Sequence, residues 1–276
     1  MALLAVSLAA AVHAMVANTN PEWNDRGLQS IPIERTRTGN SSVAHDADGL
    51  GQGASIRVAG ALTVGYYSFS WTRGSSGPSG INLGIAFSGW GTVGAALQAG
   101  PAAYTLSGRT KYLSLGGGNG HGLLSTQMLR DFASSIPAIM NAGFNGVCFD
   151  VERSHHESEM IPAMQAAFAS CKTAGLRVMV TTSHSAPVVY DSPPGALVAS
   201  WMASPHIDHL SPQLYTTGKE TSAQFDTASG VAWSSWRGAR AIILPSLVDG
   251  SHYASTKAFF SSEGISIGGY VQWKGG

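Results

Sequence analysis

The chain has 276 residues, of which 44% are hydrophobic and 12% are charged, and its sixteen Lys and Arg balance sixteen Asp and Glu. This composition can fill a sizeable core and excludes a disordered chain. It offers neither the basic stripe of a nucleic-acid-binding protein nor a polybasic patch for a membrane surface. We therefore expect a partner that carries no net charge.

The N-terminal residues 1–17 contain a short apolar run that ends in small residues. This pattern predicts a signal peptide, cleaved after Ala14 or Ala17, and hence a secreted protein; an ordinary N-terminal helix is the alternative. No later segment has ~18 uninterrupted apolar residues, so no membrane span is predicted. Residues 18–60 are polar and turn-rich, which predicts an extended arm before a barrel domain at 61–276.

The pattern from residue 61 onward alternates short apolar runs with longer amphipathic segments, as βα units around a parallel sheet do. Eight strands are predicted, at 62–71, 81–88, 110–116, 144–152, 176–183, 206–215, 241–247 and 267–273. Helices are predicted at 92–99, 124–142, 157–174, 195–204, 221–236 and 252–263. This favours an α/β fold, a (β/α)8 TIM barrel rather than an open sheet. The barrel is reduced, with no clear helix after its first strand and none after its eighth.

The two cysteines, Cys148 and Cys171, allow at most one disulfide bond. Cys148 lies in a predicted strand and Cys171 near the end of a predicted helix. We predict two free, buried thiols in preference to a bridge.

The fourth predicted strand contains the strongest functional signal. Alternate side chains of a strand share a face, so Cys148, Asp150 and Glu152 point one way and the apolar residues between them point the other. We expect the polar set to face the barrel interior and to approach the C-terminal rim, where barrel enzymes keep their sites. Asp150 and Glu152 would lie roughly 6–7 Å apart, which raises one pKa and suits glycoside cleavage. Salt-bridged rim residues are the alternative.

Other polar segments give weaker signals. His155 and His156 suggest a metal, but adjacent side chains diverge and no third ligand is evident, so neither a metal nor a cofactor is predicted. Ser183, at the end of the fifth strand, either lines a substrate site or fills a loop. The glycine-rich run 116–120 lacks the Lys-Ser/Thr ending of a phosphate-binding loop.

Four segments together resemble the family 18 glycoside hydrolases, especially the compact plant-type chitinases. Residues 145–152, NGVCFDVE, resemble the family's DGxDxDxE strand. Residues 114–118, SLGGG, resemble its SxGG strand, residues 210–215 its Q-x-Y strand end, and residues 268–273 its last strand with a floor tryptophan. All four lie on predicted strands in the family's order, and the resemblance covers about residues 62–274.

The resemblance implies hydrolysis of β-1,4-linked N-acetylglucosamine by a retaining mechanism in which the substrate's own 2-acetamido group is the nucleophile. Glu152 would protonate the leaving oxygen, Asp150 would orient the acetamido group, and Tyr215 would hydrogen-bond its carbonyl. Trp273 would form the apolar floor, unless it is a plain core aromatic. The substrate-binding candidates are Gln213, Trp273, Gly117 and Ser183.

The sequence departs from the family pattern at Asn145 and Cys148, which stand where the family has its first two aspartates. A thiol cannot share a proton as the second aspartate does, so we expect weakened activity or a changed pH profile. The expected partner is a polysaccharide or glycan containing N-acetylglucosamine, bound by a monomer. The alternatives are an endo-β-N-acetylglucosaminidase acting on N-glycans, a non-catalytic lectin-like protein, and a structural or storage protein.

Overall fold

The computed structural model describes residues 61–71, 77–154, 157–189, 194–227 and 231–274. The predicted signal peptide at 1–17, the predicted arm at 18–60 and the pair His155–His156 lie outside the described residues. No helix in the described part of the chain is long and apolar enough to cross a bilayer.

Eight parallel strands close into a barrel, and each coincides with a strand that the sequence predicts. They are β1 Thr63–Phe69, β2 Leu83–Phe87, β3 Thr110–Gly116, β4 Gly146–Val151, β5 Arg177–Ser183, β6 His209–Gln213, β7 in two pieces (Ile242–Ile243 and Ser246–Leu247), and β8 Gly269–Gln272. A separate parallel pair joins Arg153–Ser154 to Val188–Val189.

The barrel closes because β8 pairs with β1, Thr63 lying opposite Gly269, and also with the second piece of β7. Strand β7 is interrupted at Leu244–Pro245, where proline has no backbone N–H to donate to the ladder. The second piece of β7 also pairs with β6, with Ser246 opposite Gln213. The ring of strands is therefore continuous, which confirms the predicted barrel.

Six α-helices surround the strands in the described part of the chain: α1 Val93–Ala99, α2 Thr126–Asp131, α3 Ile136–Asn141, α4 Glu157–Thr173, α5 Gly195–Ala203 and α6 Tyr253–Ser262. Short 3-10 turns occur at Ala103–Thr105, Phe132–Ser135, Trp233–Trp236 and Gly250–His252. Between β1 and β2 the described residues form no helix.

Two of the helix predictions are wrong in detail. The single helix predicted at 124–142 is broken by the 3-10 turn Phe132–Ser135, because Pro137 at the start of α3 cannot donate the hydrogen bond that a continuous helix needs. The helix predicted at 221–236 is absent from its described residues except for Trp233–Trp236. There the Trp233 indole N–H instead donates to the Phe225 carbonyl at 2.7 Å, and Phe225 stacks on Phe259 of α6.

The barrel wall separates two apolar layers, one inside the strands and one between strands and helices. The inner layer contains Cys148 together with aromatic and aliphatic side chains of the other strands. Val147, Phe149 and Val151 belong to the outer layer, where Phe149 packs against Phe168 of α4. This confirms the predicted facing of β4. Cys148 and Cys171 are both free and buried, also as predicted.

A polar pair is enclosed near the N-terminal ends of the strands. The Tyr112 hydroxyl and His209 Nδ1 are 2.9 Å apart, and both residues are buried. Burial lowers the pKa of His209 to about 4, since the imidazolium ion loses its hydration there. His209 is therefore neutral at pH 7, and its Nδ1 can accept the Tyr112 hydrogen.

Candidate functional site

Two carboxylates, one on β4 and one on the residue that follows it, meet one amide of β6 at the C-terminal end of the barrel. Gln213 Nε2 donates to Asp150 Oδ1 at 3.1 Å and lies 3.5 Å from Glu152 Oε1. Asp150 is 1% exposed, and its other oxygen, Oδ2, is buried without a hydrogen-bond partner within the described part of the chain. The structure thus brings together three residues that the sequence predicts for the site, and one buried oxygen of Asp150 has no hydrogen-bond partner among the described residues.

The surroundings raise the pKa of both carboxyl groups. For Asp150 the main cause is burial, and the charge of Glu152 adds to it, while the Gln213 hydrogen bond acts in the opposite direction. Burial also raises the pKa of Glu152, opposed by the Gln213 amide, by Arg153 and by a hydrogen bond from the Gly118 backbone N–H. The pair therefore holds a proton at a pH where exposed carboxyl groups have lost theirs.

The glycine run at the end of β3 allows the chain to pass close to this pair. Gly116 has φ +108°, and a Cβ there would collide with the Asp150 carbonyl oxygen. The Gly117 N–H donates to that carbonyl at 3.1 Å. A Cβ on Gly118 would collide with Glu152 Oε2. Gly117, a predicted substrate-binding residue, thus lies beside the carboxylates, and its direct contact is with the Asp150 backbone.

Aromatic side chains cluster around Trp273, just beyond the end of β8. The Trp273 ring lies edge-on to Tyr67, Phe69 and Phe87, with ring centroids 5.2, 4.6 and 5.3 Å away. Tyr215 lies 5.5 Å from Trp273, and its buried hydroxyl has no partner among the described residues. Burial raises the pKa of Tyr215, as do its neighbours Tyr67 and Asp150, so this hydroxyl keeps its proton and can donate to a ligand.

Tyr67 is a residue of this region that the sequence analysis missed. Its hydroxyl lies 3.0 Å from Ser246 Oγ and 3.5 Å from Thr181 Oγ1, while Ser246 lies 2.8 Å from Ser211 Oγ. Burial, then Cys148 and Asp150, raise the pKa of Tyr67. The inward-facing position of Tyr67 in β1 was the available signal. Its two hydroxyl partners, Ser246 and Thr181, come from two other strands and therefore leave no local pattern in the sequence.

The two departures from the family pattern have different surroundings. Cys148 is fully buried; burial and the Asp150 charge raise the pKa of its thiol, while Ser114 acts in the opposite direction. Asn145, at the start of β4, accepts from the Lys111 N–H at 2.7 Å and donates to the Arg109 carbonyl at 2.9 Å. Cys148 therefore puts a neutral thiol in the inner layer, and Asn145 ties β4 to β3.

Ser183 and Trp71 lie on or just after other strands of the barrel. Ser183 ends β5 opposite Gln213 and shares the inward face of that strand with Thr181, so it lies at the same rim. Trp71, an aromatic residue that follows β1, is 44% exposed and stacks on Phe69 with ring centroids 5.0 Å apart. In the described ranges, no three His, Cys, Asp or Glu side chains cluster as a metal site would need.

Comparisons with known proteins give similar folds and no match by sequence. No family model matches the chain, and no curated protein matches it. A putative chitinase A from Streptomyces coelicolor is 16% identical with a TM-score of 0.49, covering 77% of this chain and 92% of that one. A GH18 chitinase from Pseudoalteromonas aurantia is 12% identical with a TM-score of 0.42, covering 77% and 94%.

A protein of another function has a similar score. The homocysteine methyltransferase MmuM from Escherichia coli is 12% identical with a TM-score of 0.45, covering 76% of this chain and 90% of that one. None of these likenesses assigns a reaction to this chain, whose chemistry depends on its own site residues.

Proposed function

We propose that the protein is a glycoside hydrolase that cleaves β-1,4-linked N-acetylglucosamine. The observation that carries this proposal is the carboxylate pair Asp150 and Glu152 at the C-terminal rim, joined by the Gln213 amide. Burial raises the pKa of both groups, which supplies the protonated acid that glycoside cleavage requires. The sequence segments that resemble family 18 point to the same residues.

The proposed reaction has two steps. In the first, Glu152 protonates the leaving glycosidic oxygen while the carbonyl oxygen of the substrate's acetamido group attacks C1, giving an oxazolinium ring. Asp150 orients the acetamido N–H and stabilises the positive charge of the oxazolinium ring. The Tyr215 hydroxyl donates to the acetamido oxygen. In the second step, Glu152 takes a proton from water as that water opens the ring, so the product retains the β configuration.

The substrate would lie on the aromatic floor of the site. Trp273 presents a ring beside Tyr215, and a pyranose has an apolar face that stacks well on such rings. Chitin or chitooligosaccharide is the proposed substrate, with the N-glycan core as the alternative. The predicted signal peptide at 1–17 leads us to propose secretion, which would bring the enzyme to such polymers.

The test is hydrolysis of defined substrates. Chitin oligosaccharides and a high-mannose N-glycan are incubated separately with the protein from pH 4 to 8, with Glu152→Gln as the matched inactive variant. The proposal is supported if the unaltered protein cleaves the oligosaccharides and the Glu152→Gln variant does not. If only the N-glycan is cleaved, the alternative substrate is the right one. Folded protein that cleaves neither substrate refutes the proposed hydrolase.

A sugar-binding protein without activity is the second candidate, and Cys148 is the observation that favours it. A neutral thiol in the inner layer offers Asp150 no second carboxylate with which to exchange a proton. Calorimetric binding of chitooligosaccharide without any product after days of incubation would establish this candidate. Retention of Glu152 with its Gln213 and Gly118 contacts favours the enzyme.

A further inference from the structure

Two loops at the rim are fastened to each other beside the carboxylates. Trp90, after β2, stacks on His121, after β3, with ring centroids 4.4 Å apart and planes 24° from parallel. The Gly91 N–H donates to the His121 carbonyl at 2.9 Å, and the Gly116 N–H donates to the Trp90 carbonyl at 2.9 Å. We call the Trp90–His121 stack with these two backbone bonds the loop clasp.

The clasp holds a tight turn that contains Asn119. Asn119 Oδ1 accepts from the His121 N–H at 2.8 Å, and the Asn119 carbonyl accepts from the Gly122 N–H at 3.1 Å. Gly89, with φ +75°, leaves room for the Asn119 amide, with which a Cβ would collide. The turn is therefore bonded from within and packed against the neighbouring loop.

Gly118 immediately precedes this turn and touches Glu152. The backbone of Gly118 packs directly against the Glu152 carboxylate, since a Cβ at this position would collide with Glu152 Oε2. The Gly118 N–H acts to lower the pKa of that carboxyl group. We propose that the loop clasp is a positioning element for Glu152: Trp90 and His121 hold the turn so that the Gly118 N–H stays directed at the carboxylate of the proposed acid. This inference rests on the proposed function for its catalytic meaning.

The other groups around Glu152 do not depend on the clasp. Asp150 and Arg153 lie on the same segment as Glu152, and Gln213 and Tyr215 come from the end of β6. The β3 loop acts on the carboxylate through the Gly118 N–H, and His121 is the titratable side chain of that turn. Loosening the clasp therefore weakens one donor and leaves the remaining partners in place.

The kinetic test uses Trp90→Ala and His121→Ala, with Trp90→Phe as the conservative variant and Tyr104→Ala as an exposed aromatic control elsewhere on the surface. Both alanine variants should lower kcat roughly tenfold with little change in KM, since a small displacement of a catalytic group is costly. The alkaline limb of the kcat–pH profile of both alanine variants should move to higher pH, because a carboxylate that loses a hydrogen-bond donor has a higher pKa. Trp90→Phe and Tyr104→Ala should resemble the unaltered protein.

A different result would assign the pair another role. A rise in KM and weaker oligosaccharide binding by both alanine variants, with kcat and the pH profile unchanged, would make the Trp90–His121 pair a sugar platform and overturn the positioning role. Thermal melts accompany the assays. If Trp90→Ala does not fold, His121→Ala, which removes an exposed side chain, decides the question alone.

An NMR titration tests the clasp without any turnover. Glutamate carboxyl carbons are labelled with ¹³C, the Glu152 signal is assigned from its loss in Glu152→Gln, and its pKa is followed in each variant. The pKa of Glu152 should rise in His121→Ala and Trp90→Ala and stay unchanged in Tyr104→Ala. An unchanged value in a folded alanine variant overturns the inference, and the titration does so even if the protein hydrolyses no substrate.

Discussion

At the scale of single residues, Asp150 and Glu152 differ in what holds their carboxyl groups. Asp150 is buried with one oxygen bonded to Gln213 and the other without a partner in the described chain. Glu152 is only partly buried and receives the Gly118 N–H. A fixed, deeply buried group suits orientation of a bound acetamido group, whereas a group nearer solvent suits exchange of protons with water. We therefore assign the acid–base role to Glu152.

Replacing Glu152 by glutamine should remove the transferable proton and keep the shape and hydrogen-bonding capacity of the side chain. We expect turnover of chitooligosaccharide to fall by ~10²–10⁴ while oligosaccharide binding persists. Parallel measurements of initial rate and of calorimetric affinity check this. Unchanged turnover in Glu152→Gln would remove Glu152 from the mechanism.

Replacing Cys148 by aspartate tests whether the thiol weakens the site. The new carboxylate would replace a buried thiol in the inner layer, on the same face of β4 as Asp150. We expect kcat to rise and its pH dependence to change, together with a lower melting temperature, since a buried carboxylate can cost several kcal/mol. Cys148→Asn is the matched neutral control. A folded aspartate variant with no gain over it would show that the site is adapted to the thiol.

At the scale of elements, Asn145 joins the beginnings of two strands. Its amide bridges the Lys111 N–H and the Arg109 carbonyl, so both functions of the side chain are used. Asn145→Ala should lower the free energy of unfolding by about 1–2 kcal/mol, because two net hydrogen bonds are lost. Urea denaturation measures this, with the exposed Asn141→Ala as control. A loss of kcat without a loss of stability would contradict the purely structural role.

The elements also show what the sequence could predict. Every barrel strand was predictable because a short apolar run is a local signal, and the alternation within β4 predicted that Asp150 and Cys148 share the inner face. The prediction of a helix at 221–236 is wrong because the apolar residues of this segment pack around Phe225 and Phe259 rather than along one helix face. The partners of Tyr67 and the loop clasp depend on contacts between distant segments, which no local spacing records.

At the scale of the whole molecule, the barrel interior encloses titratable groups at both ends. Asp150 and Glu152, with raised pKa values, bind protons in the folded state before exposed carboxyl groups do, so they stabilise the fold as the pH falls. His209, with its lowered pKa, acts in the opposite direction. These two contributions to the pH dependence of stability therefore oppose each other.

The contribution of His209 can be isolated by substitution. Its folded pKa of about 4 lies below the ordinary 6.5, so the unfolded chain binds the proton first as the pH falls. Between pH 6.5 and 4 the unaltered protein should lose up to about 3 kcal/mol relative to His209→Asn, which keeps an acceptor for Tyr112 and does not titrate. The carboxylate contributions cancel in this difference. If stability changes with pH in the same way in the unaltered protein and in His209→Asn, His209 is not a buried neutral histidine.

The most direct test of the proposed hydrolase is the stereochemistry of its product. Hydrolysis of chitohexaose is followed by proton NMR within the first minutes, before the anomers equilibrate, beside the fully deacetylated hexamer. The β-anomer should appear first and the deacetylated hexamer should remain intact, since the deacetylated hexamer lacks the acetamido nucleophile. Initial formation of the α-anomer, or equal cleavage of the deacetylated hexamer, would contradict the proposed roles of Asp150 and Glu152.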